Sequence, residues 1–275
     1  MQNAPEALPR VGRRPAPATV AEMDALLALN EPVILEGNLF GAASREELCV
    51  RLGDAPLPVR FFQEGGKPFT FTTKELPLSD LCTALEQESR SGGGRHYLAG
   101  PNLLLHADPR VAGWARAQTE RLPIERVQEV GLWCGRDGQH SQLHFDVTHN
   151  VLHVVAGRKT VVLASPRDYR CLYTYTSADL DPADASLRRM YRFSRCNVRQ
   201  PDYKQFPLLE RCQLQVAEVN AGEALLIPLA YFHDVVSEGS EQSVLSIAIN
   251  VFWKPTTAET QRLKWLRVFL DDEDE

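Results

Sequence analysis

From Val127 onward the chain breaks into short strand-like runs. They are Val127–Cys134, Gln142–Asp146, Asn150–Val155, Lys159–Ala164, Gln213–Val219, Ala224–Ile227, His233–Ser237 and Val244–Phe252. Turn signals such as Gly135-Arg136-Asp137-Gly138, Ala156-Gly157 and Ala221-Gly222-Glu223 separate them. Strands this short and this closely spaced point to a sandwich or barrel.

The first half has a different texture. Residues 1–18 are rich in Pro, Arg and Ala without periodicity, which predicts a loose leader. Thr19 caps a short amphipathic helix carrying Met23, Leu26, Leu27 and Leu29. Pro32–Gly37 reads as a strand closed by glycine, and Ser44 with Glu47 as a capping box opening a helix to about Leu52. A strand near Val59–Phe62, a turn at Gly65-Gly66, a helix from Ser79 to about Glu88, a loop at Ser91–Gly94 and a helix around Arg110–Arg121 follow. The expectation is a mainly β protein with flanking helices: a helical N-terminal half packed around a β core at about 127–255, in one domain spanning 19–256. Residues 257–275 add an amphipathic C-terminal helix, about Thr257–Leu270, and an acidic tail, Asp271–Glu275.

The bulk numbers narrow the function classes. With 44% hydrophobic and 24% charged residues in 275, the chain has a globular composition. A net charge of −6 argues against coating nucleic acid or anionic membrane, though not against a local basic groove. The six cysteines form no CxxC pair and read as reduced thiols, not disulfides or a zinc site. No apolar run reaches membrane-spanning length and no signal segment is evident, so the expectation is a cytoplasmic protein with no membrane partner.

His144-Phe145-Asp146 carries the first chemical signal. Residues two apart on a strand share a face, so one imidazole and one carboxylate can converge on a metal. A second imidazole from a distant strand completes a facial triad with open positions, the pattern of non-haem iron(II) oxygenases. Alone the pair is weak, since about 0.5 accidental matches are expected in a chain with seven histidines. His233, after the run Ala224–Ile227 and Pro228, is placed for a barrel mouth. His149 and His153 sit on neighbouring positions of the next strand, and His96, His106 and His140 in loop-like context. Lys159 opens the strand after Gly157-Arg158, where an inward ammonium would hold the far carboxylate of a dicarboxylate cosubstrate.

The run Ser141–Asp146 through Asn150 to Gly157-Arg158-Lys159, then Ser165-Pro166-Arg167-Asp168, resembles the cupin-like JmjC hydroxylases. Gly222–Pro228 through His233 and the ending Asn250–Lys254 resemble the same family, with Pro32–Gly37 and Tyr97-Leu98 a fainter match upstream. Within it, the asparaginyl hydroxylase of the hypoxia-inducible factor and the tRNA wybutosine hydroxylase are especially similar. The resemblance implies a double-stranded β-helix of jelly-roll type, with iron(II) on His144, Asp146 and His233. It implies that Lys159, Ser141 and Tyr97 contact 2-oxoglutarate, and that Asn150 and Asn250 line the pocket near the metal. It implies a dioxygenase that releases succinate and carbon dioxide, with no catalytic residue required beyond the metal ligands.

The substrate is less legible. An insert carries Arg188, Arg189, Arg192, Arg195 and Arg199 interleaved with Tyr191, Phe193 and Tyr203. Arg188, Arg192 and Tyr191 are its candidate substrate contacts, suited to an acidic peptide or an RNA backbone with stacked bases. The expectation is hydroxylation of a protein or peptide side chain. The alternatives are a tRNA nucleoside or small molecule as substrate, and a non-catalytic ligand-binding cupin. Lysine demethylation is disfavoured for want of a reader domain. The last helix, with Leu263, Leu266, Val268, Phe269 and Leu270 on one stripe, packs on its own barrel or joins a homodimer.

Overall fold

Alternation of apolar and polar residues through the second half builds two facing sheets. The computed structural model describes residues 7–37, 39, 44–62, 71–91, 95–176, 179, 190–241 and 243–266. All eight expected strands form: β6 (Val127–Arg136), β7 (His140–His144), β8 (His149–Ala156), β9 (Arg158–Ala164), β10 (Leu214–Asn220), β11 (Ala224–Ile227), β12 (Phe232–Glu238) and β13 (Leu245–Trp253). One sheet runs β10-β9-β12-β7. In the other, β11-β8-β13-β6 form the facing layer, and every pairing among these strands is antiparallel.

The N-terminal half is not helical as expected. Besides the two expected strands, β2 (Val33–Glu36) and β3 (Leu57–Phe62), it supplies β1 (Arg13–Pro15), β4 (Thr72–Leu76) and β5 (Arg95–Asn102). These extend the larger sheet at both ends, giving β1-β2-β11-β8-β13-β6-β5-β3-β4. Part of the expected loose leader is held: β1 pairs with β2, and the Val11 N–H donates to the Val216 carbonyl at 2.9 Å, while residues 1–6 lie outside the described residues. Four helices lie among these strands: α1 (Val20–Leu29), α2 (Arg45–Leu52), α3 (Leu78–Ser91) and α4 (Pro109–Thr119). Thr19 caps α1 in a reciprocal box with Glu22, and the Ser44 hydroxyl accepts from the Glu47 N–H.

Leu48, Leu52, Leu81, Leu85 and Trp114 from α2–α4 pack with Leu132, Ile247 and Ile249 from the outer side of the larger sheet. Between the sheets, Leu152, Val161, Leu163, Leu225, Val235 and Ala248 fill the lumen. The C-terminal helix is shorter than expected: α5 (Thr257–Arg262) is followed by a 3-10 turn at Lys264–Leu266. Leu266 is fully buried, and Trp265 stacks on Tyr169 at 4.2 Å. Leu263 packs with the same cluster, so this part of the stripe is spent on the protein's own barrel and not on a twin subunit. Val268–Leu270 and the acidic tail 271–275 lie outside the described residues, as do Gly65-Gly66, Gly92–Gly94, Arg188 and Arg189.

The β8–β9 turn depends on Gly157, whose φ is +72°. A Cβ there would meet the Glu238 carbonyl oxygen closely and the Leu245 carbonyl oxygen at 2.7 Å. Both obstacles are backbone. Gly157→Ala is expected to destabilise the fold by about 3 kcal/mol, through strain and backbone displacement. Urea denaturation checks it, and a change below 1 kcal/mol would show that the turn can relax.

Candidate metal centre

His144 ends β7 and His233 lies at the start of β12, directly opposite it in the antiparallel register. Asp146 does not share the strand with His144, as the two-residue spacing predicted. It reaches the lumen from the loop after β7, whose Asp146 carbonyl accepts from the Ala230 N–H at 3.1 Å. Ala230 takes a left-handed backbone, φ 61°. That turn thus holds the Asp146 loop and delivers His233 together.

The ligand atoms of His144, Asp146 and His233 lie within 4.8 Å of one another, and the Asp146 Oδ2 is 3.5 Å from the His233 Nε2. Each imidazole is oriented by a backbone carbonyl two residues earlier. Nδ1 of His144 faces the Gln142 oxygen at 2.7 Å, and Nδ1 of His233 faces the Tyr231 oxygen at 2.9 Å. With Nδ1–H donating to a carbonyl, each Nε2 keeps its lone pair for the common point. Burial, reinforced by the neighbouring His233, lowers the His144 pKa to about 4, so this imidazole is neutral at pH 7. Two imidazoles and one carboxyl group form a donor set that fits a divalent transition metal.

The other expected residues surround a cavity of about 80 Å³. Tyr97, Ser141, Asn150, Lys159 and Asn250 line it together with the three ligand candidates. Lys159 is 3% exposed, and its Nζ donates to the Ser237 Oγ at 2.7 Å. Among the described residues no carboxylate pairs with it, and burial lowers its pKa to about 8. The Tyr97 hydroxyl lies 3.5 Å from the Ser141 Oγ, and burial pushes its pKa up to about 12, so it stays a donor. The Asn250 Nδ2 donates to the Asn150 Oδ1 at 2.9 Å, leaving the Asn250 Oδ1 buried without a partner. A buried cation with no counter-charge and an orphaned acceptor are costly unless a ligand satisfies them.

Three further residues belong to the site. Ser237 faces Lys159 across β9–β12, four residues after His233 and therefore on the same side of β12. Trp133, on β6, lines the cavity. Phe193, from the insert, stacks on His144 at 4.9 Å with rings 15° apart. Alternation on β12 could have singled out Ser237; Phe193 is legible only as one aromatic of the insert, and nothing local in the sequence places it over His144. Arg195 pairs with Asp179 at 2.6 Å, Arg199 pairs with Asp234, and Tyr191 and Arg192 line neither this cavity nor the cleft beside it. Of the remaining histidines, His96 pairs with Glu88 at 2.6 Å and His140 with Asp234 at 2.7 Å.

Comparison with known proteins fits this geometry. A family model described as a cupin-like domain matches residues 19–259. The chain is 34% identical over 116 residues to JmjC domain-containing protein D of Dictyostelium discoideum, covering 42% of this chain and 24% of that protein. It is 36% identical over 117 residues to tRNA wybutosine-synthesizing protein 5 of Gallus gallus, covering 42% and 30%. It is 30% identical over 124 residues to lysine-specific demethylase 8 of Danio rerio, covering 45% and 27%. The matched stretch thus spans roughly a quarter to a third of these relatives' own length.

Proposed function

The chain belongs to the cupin-like domain family, with JmjC proteins among its relatives, and from that premise we propose that it is an iron(II)- and 2-oxoglutarate-dependent oxygenase hydroxylating a protein side chain. The observation that carries this reading is Lys159, a buried cation without a carboxylate partner, in the same cavity as the three-ligand cluster. His144, Asp146 and His233 would hold the metal. Bound iron(II) supplies the redox chemistry with dioxygen that couples oxidative decarboxylation of 2-oxoglutarate, giving succinate and carbon dioxide, to substrate oxidation.

The chain's own groups bind and orient. Lys159 holds the far carboxylate of the cosubstrate, with Ser237 fixing its ammonium and the Tyr97 and Ser141 hydroxyls adding donors. Asn150 and Asn250 offer a polar wall, and the orphaned Asn250 Oδ1 accepts from whatever occupies the cavity. The Phe193 ring over His144 excludes water from one flank of the metal position.

A second reading, hydroxylation of a tRNA nucleoside, draws support from the relatives named tRNA wybutosine-synthesizing protein 5. Incubation of the iron-loaded protein with a peptide pool, and separately with total tRNA, under isotopically labelled dioxygen separates the two. The expected result is label in peptide side chains only when 2-oxoglutarate is present. Label confined to nucleosides would replace the protein substrate with RNA. Loss of methyl groups from lysine, with no stable hydroxyl, would replace hydroxylation with demethylation.

A further inference from the structure

Outside the metal cavity lies a wider cleft of about 600 Å³, sharing Tyr97, Trp133, Ser141 and His144 with it. Its charge is opposite to that of the molecule. The chain carries a net −6, yet Arg60 and Arg95 line the cleft and Asp234 is its one carboxylate among the described residues. Asp234 is 1% exposed and already paired with both Arg199 and His140, so it offers no negative charge to a ligand.

The two arginines are placed by strand register. Arg60 sits opposite Tyr97, and Arg95 lies two residues before Tyr97 on β5. Arg95 and Tyr97 therefore point to one face, about 7 Å apart along the strand. Tyr97 marks the inner cavity through Ser141, so Arg95 stands one side-chain position outward from it. Arg95 is exposed and has no ion-pair partner among the described residues.

The opposite wall is a strand edge. β7 is the last strand of its sheet, and among the described residues its outer edge takes backbone partners only at Leu143–Phe145, from residues 192–194. Gln139–Gln142 run along the cleft beside that free edge. A free edge accepts an extended peptide by main-chain hydrogen bonds. A nucleic-acid strand would instead need a track of several cations for successive phosphates, and the described residues of the cleft supply two arginines.

We infer that this protein selects its substrate by an acidic side chain: an extended protein segment lies along β7 in the outer cleft, with an aspartate or glutamate held by Arg95 and Arg60. The inference rests on the proposed oxygenase reading for the meaning of the cleft, and its test needs no turnover. Fluorescence anisotropy would compare two nonapeptide pools on the full chain loaded with manganese(II) and 2-oxoglutarate. One pool has Asp or Glu fixed at one position among neutral residues, and the other has Asn or Gln there. The acidic pool is expected to bind on the order of tenfold tighter, and Arg95→Glu to abolish that preference at an unchanged melting temperature. Equal binding of both pools, or a preference that survives Arg95→Glu, would overturn the inference while leaving the oxygenase reading intact. Displacement of the acidic pool by a single-stranded RNA at a lower concentration than by unlabelled peptide would also overturn it. Absent succinate formation with the acid preference present would separate a failed oxygenase reading from a correct cleft.

Discussion

Lys159→Met is expected to abolish 2-oxoglutarate binding while raising the melting temperature of the ligand-free protein. The side chain is 3% exposed with one hydroxyl as partner, and burial holds its pKa at about 8 instead of 10.5. That displacement corresponds to roughly 3 kcal/mol of cost in keeping the ammonium charged, to order of magnitude. Because the folded pKa lies below the unfolded one, the cost is full below about pH 8 and fades as pH rises towards 10.5. Methionine fills a similar volume without the charge, so a gain of a few degrees in Tm is expected at pH 7, vanishing above about pH 10.5. Truncating one partner of a buried charge pair costs about 2–5 kcal/mol, on the order of thirty- to several-thousand-fold in Kd. In the unsubstituted protein, 2-oxoglutarate binding should weaken as pH rises through about 8, because the neutral amine must take up a proton to pair with the carboxylate. Calorimetric titration and thermal melts read both effects. Full 2-oxoglutarate affinity in the methionine variant would remove Lys159 from the site.

The second large effect is expected at Asp146. Its carboxylate is the one anionic member of the ligand cluster and lies 3.5 Å from the His233 Nε2. Asp146→Ala leaves two imidazoles, which hold a divalent cation far more weakly than the three donors together. Loss of an outer partner of a metal ligand typically weakens binding by about 10–100-fold, so loss of a ligand itself should exceed ~100-fold. Asp146 lies in a loop with its side chain 29% exposed, so the melting temperature should change little without metal. Anaerobic iron(II) titration checks it, and unchanged affinity would mean that the cation sits elsewhere.

The barrel was legible because its strands alternate and are punctuated by glycine turns, and all eight expected runs form strands. His144 and His233 were legible because facing strands carry them. Asp146 was identified, but not its route: the strand stops at His144, and the carboxylate arrives from the loop held by Ala230. The N-terminal strands β2 and β3 were legible in the sequence, whereas β1, β4 and β5 were hidden for physical reasons. β4 is Thr-Thr-Lys-Glu-Leu, with four exposed residues and no apolar alternation, and β1 is three exposed residues paired in parallel with β2. β5 contains Gly100-Pro101 just before its last residue, Asn102, and that pair reads as a turn. Phe193 was legible among the aromatics of the insert, but not its place over His144, because a long-range bridge and no local pattern brings it there. Arg195 and Arg199, legible only as part of a basic insert, pair with the internal carboxylates of Asp179 and Asp234.

The central claim is that His144, Asp146 and His233 hold an iron that turns over 2-oxoglutarate beside Lys159. The most direct measurement is succinate formation by the anaerobically reconstituted iron(II) protein after admission of air, with His144→Ala alongside. The account predicts succinate in step with 2-oxoglutarate consumed, falling to background in the alanine variant. Succinate at background in both, with no iron-dependent binding of 2-oxoglutarate, would contradict it and leave a cupin that only binds a ligand.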